Sequence, residues 1–372
     1  MKIVLVGPYP PPIGGISIHM KRVARHLRII GLECDIYDES NGNNRLEGVY
    51  PIRSYKYFIL RFPFIRGNLF HFHSISKKIR IMLALFRIFG KKIILTIHGG
   101  SLMEQIEQSN RVVRFVLLRS LQSIDQILCV NEADTQQLLA LGFSRDKVAT
   151  LPAYVKPVES EQDDLEIPNE VTTFINESEF VITANGYIRF YQGQDLYGVD
   201  RLIYLLKELD DKGYEAHILF ALLGVSDQSS EERQYYDDIK QRIKDQGVEG
   251  RFLFYEVQDT ELYPLLKKSK LFIRPTLTDG YGVSIAEALA CGIPSIASNV
   301  CSRPEGTIEY QVRNNEDLLH KVRDVMENYP VYKQKVLSLR NPDYLADLLT
   351  VYERIAGRRS LKSTRVIGQN GK

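Results

Sequence analysis

Asp279 and Glu287 stand eight residues apart in the stretch PTLTDGYGVSIAEALACGIPSIASNVCSRPE (275–305). A strand is expected to end at Arg274, a glycine-bearing loop carries Asp279, and a helix expected from about Ser284 carries Glu287 in its first turn. With one carboxylate on the loop and one on the helix, both can face the same crevice. The backbone N–H groups of Gly282, Val283 and Ser284 have no partner inside a helix that starts there, so they suit a diphosphate. A carboxylate accepts from the two hydroxyls of a ribose, a task suited to Glu287. The alternative is negative charge complementing a helix dipole, against which the loop glycines weigh. A second glycine pair, Gly14-Gly15, lies between an expected strand and an expected helix. Either it lets a phosphate approach a helix N-terminus or it is a plain tight turn. His71 and His73 alternate on a strand candidate and face one side, but a metal site needs a third ligand nearby. His19, on the apolar face of the first helix, suits packing or ligand lining equally.

The elements that must hold these residues follow from hydrophobic runs and their punctuation. Lys2–Gly7 is a short apolar run ending in glycine, and the Pro/Gly loop Pro8–Gly15 follows it. His19, Val23, Leu27 and Ile30 then recur at helical spacing before Gly31. Further strands are expected at Cys34–Tyr37, Leu69–His73, Ile93–His98 and Gln126–Val130, with helical segments between. The acidic run at 158–178, with Pro157 and Pro168 beside it, reads as an interdomain connection. A second series follows. Its strands are expected at Phe180–Ala184, Ala216–Leu223, Arg251–Tyr255, Leu271–Arg274 and Pro294–Ala297. Its helices are expected at Val199–Leu209, Glu231–Gln246, Thr260–Ser269, Ser284–Cys291 and Glu316–Asn328. Alternation of strand and helix implies βαβ units, and two doubly wound halves would place a ligand cleft between the carboxyl ends of both sheets. The expected organisation is therefore 1–157, a linker 158–178, 179–330, and a helical segment with a basic tail at 331–372.

Length and composition agree. At 372 residues the chain is long enough for two domains. It is 44% hydrophobic and 25% charged, which excludes a largely disordered protein. Lys and Arg number 48 against 46 Asp and Glu, a net charge of +2 that implies no general polyanion-binding surface. Four scattered cysteines (Cys34, Cys129, Cys291, Cys301) and the lack of a leader read as reduced thiols in the cytoplasm. The apolar run at 79–89 is broken by Arg80 and Arg87, so it is no spanning helix. No metal cluster is evident; Asp163-Asp164 reads as solvated charge.

The segment DGYGVSIAEALACGIP resembles the signature of glycosyltransferase family 4, E-G-F-G-x-x-x-x-E-A-x-A-x-G-x-P. Weaker pieces match in order: GGISIHMKRVARHL, HFHS at His71–Ser74, TIHGG at Thr96–Gly100, and CVNEADTQQLLALGF. The resemblance implies an α/β GT-B fold with two Rossmann-like domains, and a retaining transferase using nucleotide-sugar donors. It implies that Gly15, with Gly14 beside it, lies against the donor diphosphate, that His98 sits near the transferred sugar, and that Glu287 binds the donor ribose. Asp279, in the place of the family's first glutamate, would hold sugar hydroxyls or stabilise an oxocarbenium-like transition state. No enzyme nucleophile, metal or cofactor is implied. On the residues alone, His98 could also be a packed core histidine.

Two departures stand out. The family's Arg and Lys that clamp the diphosphate are replaced in ANGYIRFYQGQDLYGVD by Tyr187 and Tyr197, leaving Arg189 as the nearest substitute. Asp279 is one methylene shorter than glutamate, which moves its carboxylate by about 1.5 Å, a scale that matters to positioning.

From Arg53 to Lys92 there are ten basic residues and no acidic one, interleaved with aromatics. Arg61, Arg66, Lys77, Lys78 and Arg80 are the expected contacts to an anionic membrane surface or to the acceptor. No nucleic-acid module is present to claim the same charge. The expectation is a cytoplasmic enzyme, peripheral at the inner face of the plasma membrane, that transfers sugar from a UDP-sugar to a glycan or polyprenyl-linked acceptor in surface polysaccharide synthesis. The alternatives are a non-catalytic partner with a degraded donor clamp, or a nucleotide-sugar epimerase or phosphorylase. A Rossmann oxidoreductase fits worse, because no G-x-G-x-x-G follows the first strand.

Overall fold

A computed structural model describes residues 1–40, 46–257, 260–340 and 344–357. The basic tail expected beyond Gly357 lies outside the described residues. The chain divides into a first unit, Met1–Val158 together with the last helix, and a second that starts at Glu159.

The first unit is a parallel sheet of seven strands: β1 (Lys2–Gly7), β2 (Glu33–Asp38), β3 (Val49–Pro51), β4 (Leu69–Phe72), β5 (Ile93–Ile97), β6 (Gln126–Cys129) and β7 (Val148–Thr150). Their order is β3-β2-β1-β4-β5-β6-β7, so the winding reverses between β1 and β4. Helices α1 (Gly15–Ile29), α2 (Tyr55–Arg61), α3 (Lys77–Ile88), α4 (Ser101–Glu107), α5 (Arg111–Ser123) and α6 (Glu132–Ala140) connect them. On one face Phe58, Phe62, Phe86 and Leu117 from α2, α3, α5 and the turn after α2 close over Phe70 and Phe72 of β4. On the other, Met20, Val23 and Leu27 of α1 cover Ile3 and Leu5.

The second unit opens with α7 (Glu161–Leu165) and α8 (Asn169–Asn176). This differs from the expected linker at 158–178. Ile167, Val171 and Ile175, four residues apart, form a stripe buried against Val181, Leu219 and Tyr255. That stripe is one residue wide, and the surrounding acidic residues mask it in the sequence. The strands are β8 (Val181–Gly186), β9 (Phe190–Tyr191), β10 (Gln194–Asp195), β11 (His217–Leu222), β12 (Phe252–Glu256), β13 (Leu271–Arg274), β14 (Ser295–Ser298) and β15 (Ile308–Tyr310). Six of them make a parallel sheet in the order β12-β11-β8-β13-β14-β15, reversing between β8 and β13. The inserted FYQGQD is the separate hairpin β9–β10, turned by Gln192 and Gly193, both with positive φ. The remaining helices are α9 (Val199–Asp211), α10 (Ser230–Asp245), α11 (Tyr263–Lys267), α12 (Val283–Ala290), α13 (Asn315–Glu327) and α14 (Tyr329–Leu337).

The expected single segment at 331–372 is divided. Val336 of α14 is buried in the second unit against Leu289 and Ile293. The last helix, α15 (Tyr344–Ala356), returns to the first unit, where Leu348 and Tyr352 pack with Met20 and Ile36. The pull comes from two apolar stripes on neighbouring helices that belong to different cores.

Candidate functional site

Each sheet brings its chemistry-bearing residues to the carboxyl ends of the strands at its own switch point, where doubly wound sheets hold ligands. In the first unit, Gly14 caps α1 with an extended backbone, φ −167°, which any residue adopts. Its N–H donates to Ser17 Oγ at 2.9 Å. A Cβ built on Gly15 would meet nothing within 4 Å. The fold therefore requires neither a left-handed turn nor close packing at Gly15, and open space is what a closely approaching ligand needs.

Beside this helix start lies a cluster of histidines. His71 on β4 is bonded through Nδ1 to Tyr352 of α15 at 2.6 Å and through Nε2 to Thr96 of β5 at 2.7 Å. Both its nitrogens are thus taken, and the paired-histidine metal reading loses one of its two ligands. His73 and His98, just past β4 and β5, are linked Nδ1 to Nε2 at 3.0 Å. The His19 ring stands 5.2 Å from that of His73 and 5.5 Å from that of His98. His19 Nδ1 donates to the Ala153 carbonyl at 2.6 Å, which anchors this ring of α1. Burial outweighs that carbonyl and lowers His19 to about 4, and burial holds His71, His73 and His98 well below the usual imidazole value. All four rings are neutral near pH 7. The bond to His73 occupies Nε2 of His98, whichever ring donates, and leaves Nδ1 outside it, with no positive charge on the ring.

In the second unit, α12 begins one residue earlier than expected. Gly282 caps it at φ +86°, and the N–H groups of Val283 and Ser284 open the helix. Glu287 falls in the second turn rather than the first and is 3% exposed. Asp279, on the loop after β13, lies between two guanidiniums that the sequence reading did not single out. Its Oδ2 accepts from Arg274 Nε and from Arg303 Nη1, both at 2.8 Å. Its Oδ1 accepts from Gly280 N–H at 3.0 Å and from Arg274 Nη2 at 3.4 Å. Burial would raise this carboxyl, but the two arginines override it and hold it well below the usual carboxylate range. Arg274 carries a signal in the sequence, a charge closing a buried strand; Arg303, 24 residues beyond Asp279, carries none that is local.

Arg189 is a correction. Its Nη1 donates to both oxygens of Glu232, at 2.8 and 3.1 Å. Glu232 in turn completes the capping box of α10 with Ser229. The guanidinium is thereby drawn to a helix end 43 residues away in sequence. Tyr187 and Tyr197, in the places of the expected cations, stand with ring centroids 5.8 Å apart, and Arg274 lies over the Tyr197 ring at 5.4 Å.

The basic segment also sorts itself. Arg80 is a second correction: it is fully buried on the inner side of α3, donates to Gln105 Oε1 at 2.9 Å and Ser101 Oγ at 3.2 Å, and is lowered to about 10 by burial. Lys77 donates to Ser109 Oγ at 3.3 Å. Arg61, Arg66 and Lys78 are exposed, together with Arg53 and Lys56. Among them stand Tyr57, Leu60, Phe64 and Ile88, each more than 60% exposed. Helix α5, packed beside α3, adds exposed Arg111, Arg114, Val112 and Phe115, which the sequence reading left out. No helix among the described residues is long and apolar enough to cross a membrane, and no group of three or more His, Cys, Asp or Glu among them is placed to hold a metal ion.

Comparison with known proteins bears on the same segments. A family model described as Glycosyl transferases group 1 matches residues 178–337, and one described as Glycosyltransferase Family 4 matches residues 13–157. An uncharacterized glycosyltransferase of Methanocaldococcus jannaschii is 22% identical over 353 residues, 90% of each chain. The O-antigen chain mannosyltransferase B of Escherichia coli is 38% identical over 76 residues, a span of only 20% of either chain. Among solved structures, Anabaena HepE in complex with UDP superposes with a TM-score of 0.68 at 14% identity, covering 96% of this chain and 100% of that one. The sucrose-phosphate synthase of Thermosynechococcus elongatus gives 0.67 at 16% identity, covering 96% and 99%.

Proposed function

We propose, because the chain belongs to the glycosyltransferases of group 1 and family 4 and has their GT-B fold, that it moves a sugar with retention from a nucleotide diphosphate sugar to a glycan or polyprenyl-linked acceptor. The observation that carries the donor half is the strand–loop–helix from β13 to α12. There a buried carboxylate, Glu287, follows a helix start without a side-chain cap and a loop whose Asp279 is paired with Arg274 and Arg303. Glu287 takes the ribose hydroxyls, and the N–H groups of Gly282, Val283 and Ser284 take phosphate oxygens. As the sugar–phosphate bond breaks, charge grows on the diphosphate, and donors already fixed in place stabilise it without reorganising. Asp279 offers Oδ1, with its longer guanidinium bond, to sugar hydroxyls; in the first unit, neutral His98 is a candidate to meet a sugar hydroxyl. The acceptor attacks from the face the phosphate leaves, which needs no enzyme nucleophile, and cationic side chains serve where a metal otherwise would.

A UDP-sugar is the first donor to try, since the similarly folded HepE of Anabaena binds UDP. The acceptor side of the proposal places the chain at the inner face of a membrane, supported by the exposed cations and apolar side chains of α2, α3 and α5. The test of the donor reading is a metal-free thermal-shift panel of UDP, GDP and ADP with their common sugars, on wild type and Glu287→Ala. One nucleotide should raise Tm selectively, and Glu287→Ala should weaken it by tenfold or more. If no nucleotide shifts the wild type, the donor reading falls.

A further inference from the structure

We propose that Arg274 is the diphosphate-binding cation of this chain, held ready by Asp279 and Arg303; the proposal rests on the nucleotide-sugar reading above. Two guanidiniums share one carboxylate here, since Oδ2 of Asp279 accepts from both at 2.8 Å. One positive charge is left over in a largely buried place, which is costly unless an anion meets it. The surplus does not rest on Arg303. That side chain is 0% exposed, and its three nitrogens donate to Ser298 O, Asp279 Oδ2, Thr276 Oγ1 and Ser298 Oγ. Arg274 differs. It ends β13 at the switch point of the second sheet, its side chain keeps 14% exposure, and its guanidinium plane lies over the Tyr197 ring.

The surroundings select the kind of anion. Helix α9 already carries its own, because Asp195 accepts the N–H groups of Tyr197, Gly198, Val199 and Asp200. Helix α12 has no acidic residue in its first turn. Its start adjoins Arg303, since a Cβ on Gly282 would stand 3.1 Å from Arg303 Nη1, and Arg303 shares Asp279 with Arg274. A planar guanidinium joined through one shared carboxylate to the arginine at an uncapped helix N-terminus offers, with that helix, two kinds of donor, which matches two linked phosphates better than a single carboxylate.

The experiment is calorimetric titration at fixed ionic strength with UDP, GDP and inorganic pyrophosphate, using uridine and guanosine as phosphate-free controls. Arg274→Gln should weaken the diphosphates at least tenfold while leaving the nucleosides unchanged, and Arg274→Lys should fall between. Equal diphosphate affinity in Arg274→Gln, with wild type binding UDP or GDP, overturns the role of Arg274 and leaves the donor reading intact. If wild type binds pyrophosphate through Arg274 but no nucleotide, the donor reading fails and the anion site stands. If wild type binds neither, both fail. Should Arg274→Gln lose its cooperative unfolding transition, Arg274→Lys decides: diphosphate affinity at least threefold below wild type with the nucleosides unchanged supports the proposal, and wild-type affinity overturns it.

Discussion

Gly15 lies at a helix start with nothing near the position its side chain would take. Alanine is the better helix former, so Gly15→Ala should leave Tm unchanged or raise it slightly. If the donor diphosphate approaches this backbone, the same change should lower kcat/KM by tenfold or more; an unaltered kcat/KM would reduce the glycine pair to a tight turn. The histidine cluster makes a second prediction at this scale. In the folded chain burial keeps these rings neutral, His19 down to about 4, whereas in the unfolded chain they titrate near 6.5. Below pH 6.5 the unfolded state therefore binds protons that the folded state refuses, and stability falls as pH falls. From His19 alone the loss by pH 5 should be on the order of 2 kcal/mol. A Tm-against-pH series should show the decline, and His19→Gln should flatten it; an unchanged slope would mean that the ring is not buried as described.

Among the elements, α9 depends on one carboxylate. Asp195 of the β9–β10 hairpin caps it through four backbone N–H groups and also accepts from Tyr235 Oη at 3.3 Å. Asp195→Ala should cost about 2 kcal/mol, at the upper end for a helix cap because several buried donors are orphaned together. A lowered urea midpoint at unchanged m-value would show it, and an unmoved midpoint would not be compatible with this cap. The same hairpin shows what local pattern leaves unread. The central strands β1, β4, β5, β8, β11 and β13 were legible because strands covered on both faces are near-continuous apolar runs. The three-residue edge strands β3, β7 and β15 and the two-residue strands of the hairpin are too short to show a period. Helices α7 and α8 were hidden by acidic neighbours, since a single apolar stripe is lost among the seven carboxylates of 158–178.

For the molecule as a whole, net charge conceals a local field. The chain carries only +2, yet Arg53, Lys56, Arg61, Arg66 and Lys78 are exposed beside Tyr57, Leu60, Phe64 and Ile88. Each well-placed cation contributes about 1 kcal/mol toward an anionic leaflet. Co-sedimentation with vesicles containing anionic lipid should exceed that with neutral vesicles, fall with salt, and drop at least tenfold in Arg61→Glu/Arg66→Glu/Lys78→Glu. Binding that ignores the charge reversals would remove the membrane from the proposal. Arg80 is left out of the set because its burial makes substitution a matter of folding.

The family, the two doubly wound units and the segment 275–305 were legible along the chain, because the spacing of apolar runs, glycines and carboxylates is a local pattern. The sequence also marked Gly15, His98, Asp279 and Glu287. Tertiary structure alone decided their company. It set Arg303 against Asp279, gave Arg189 to Glu232, buried Arg80, linked His73 to His98 and returned α15 to the first unit. Those pairings join residues that are far apart in sequence. Which charge meets which is settled by the packing of helices on sheets, and that packing leaves no local trace in the chain.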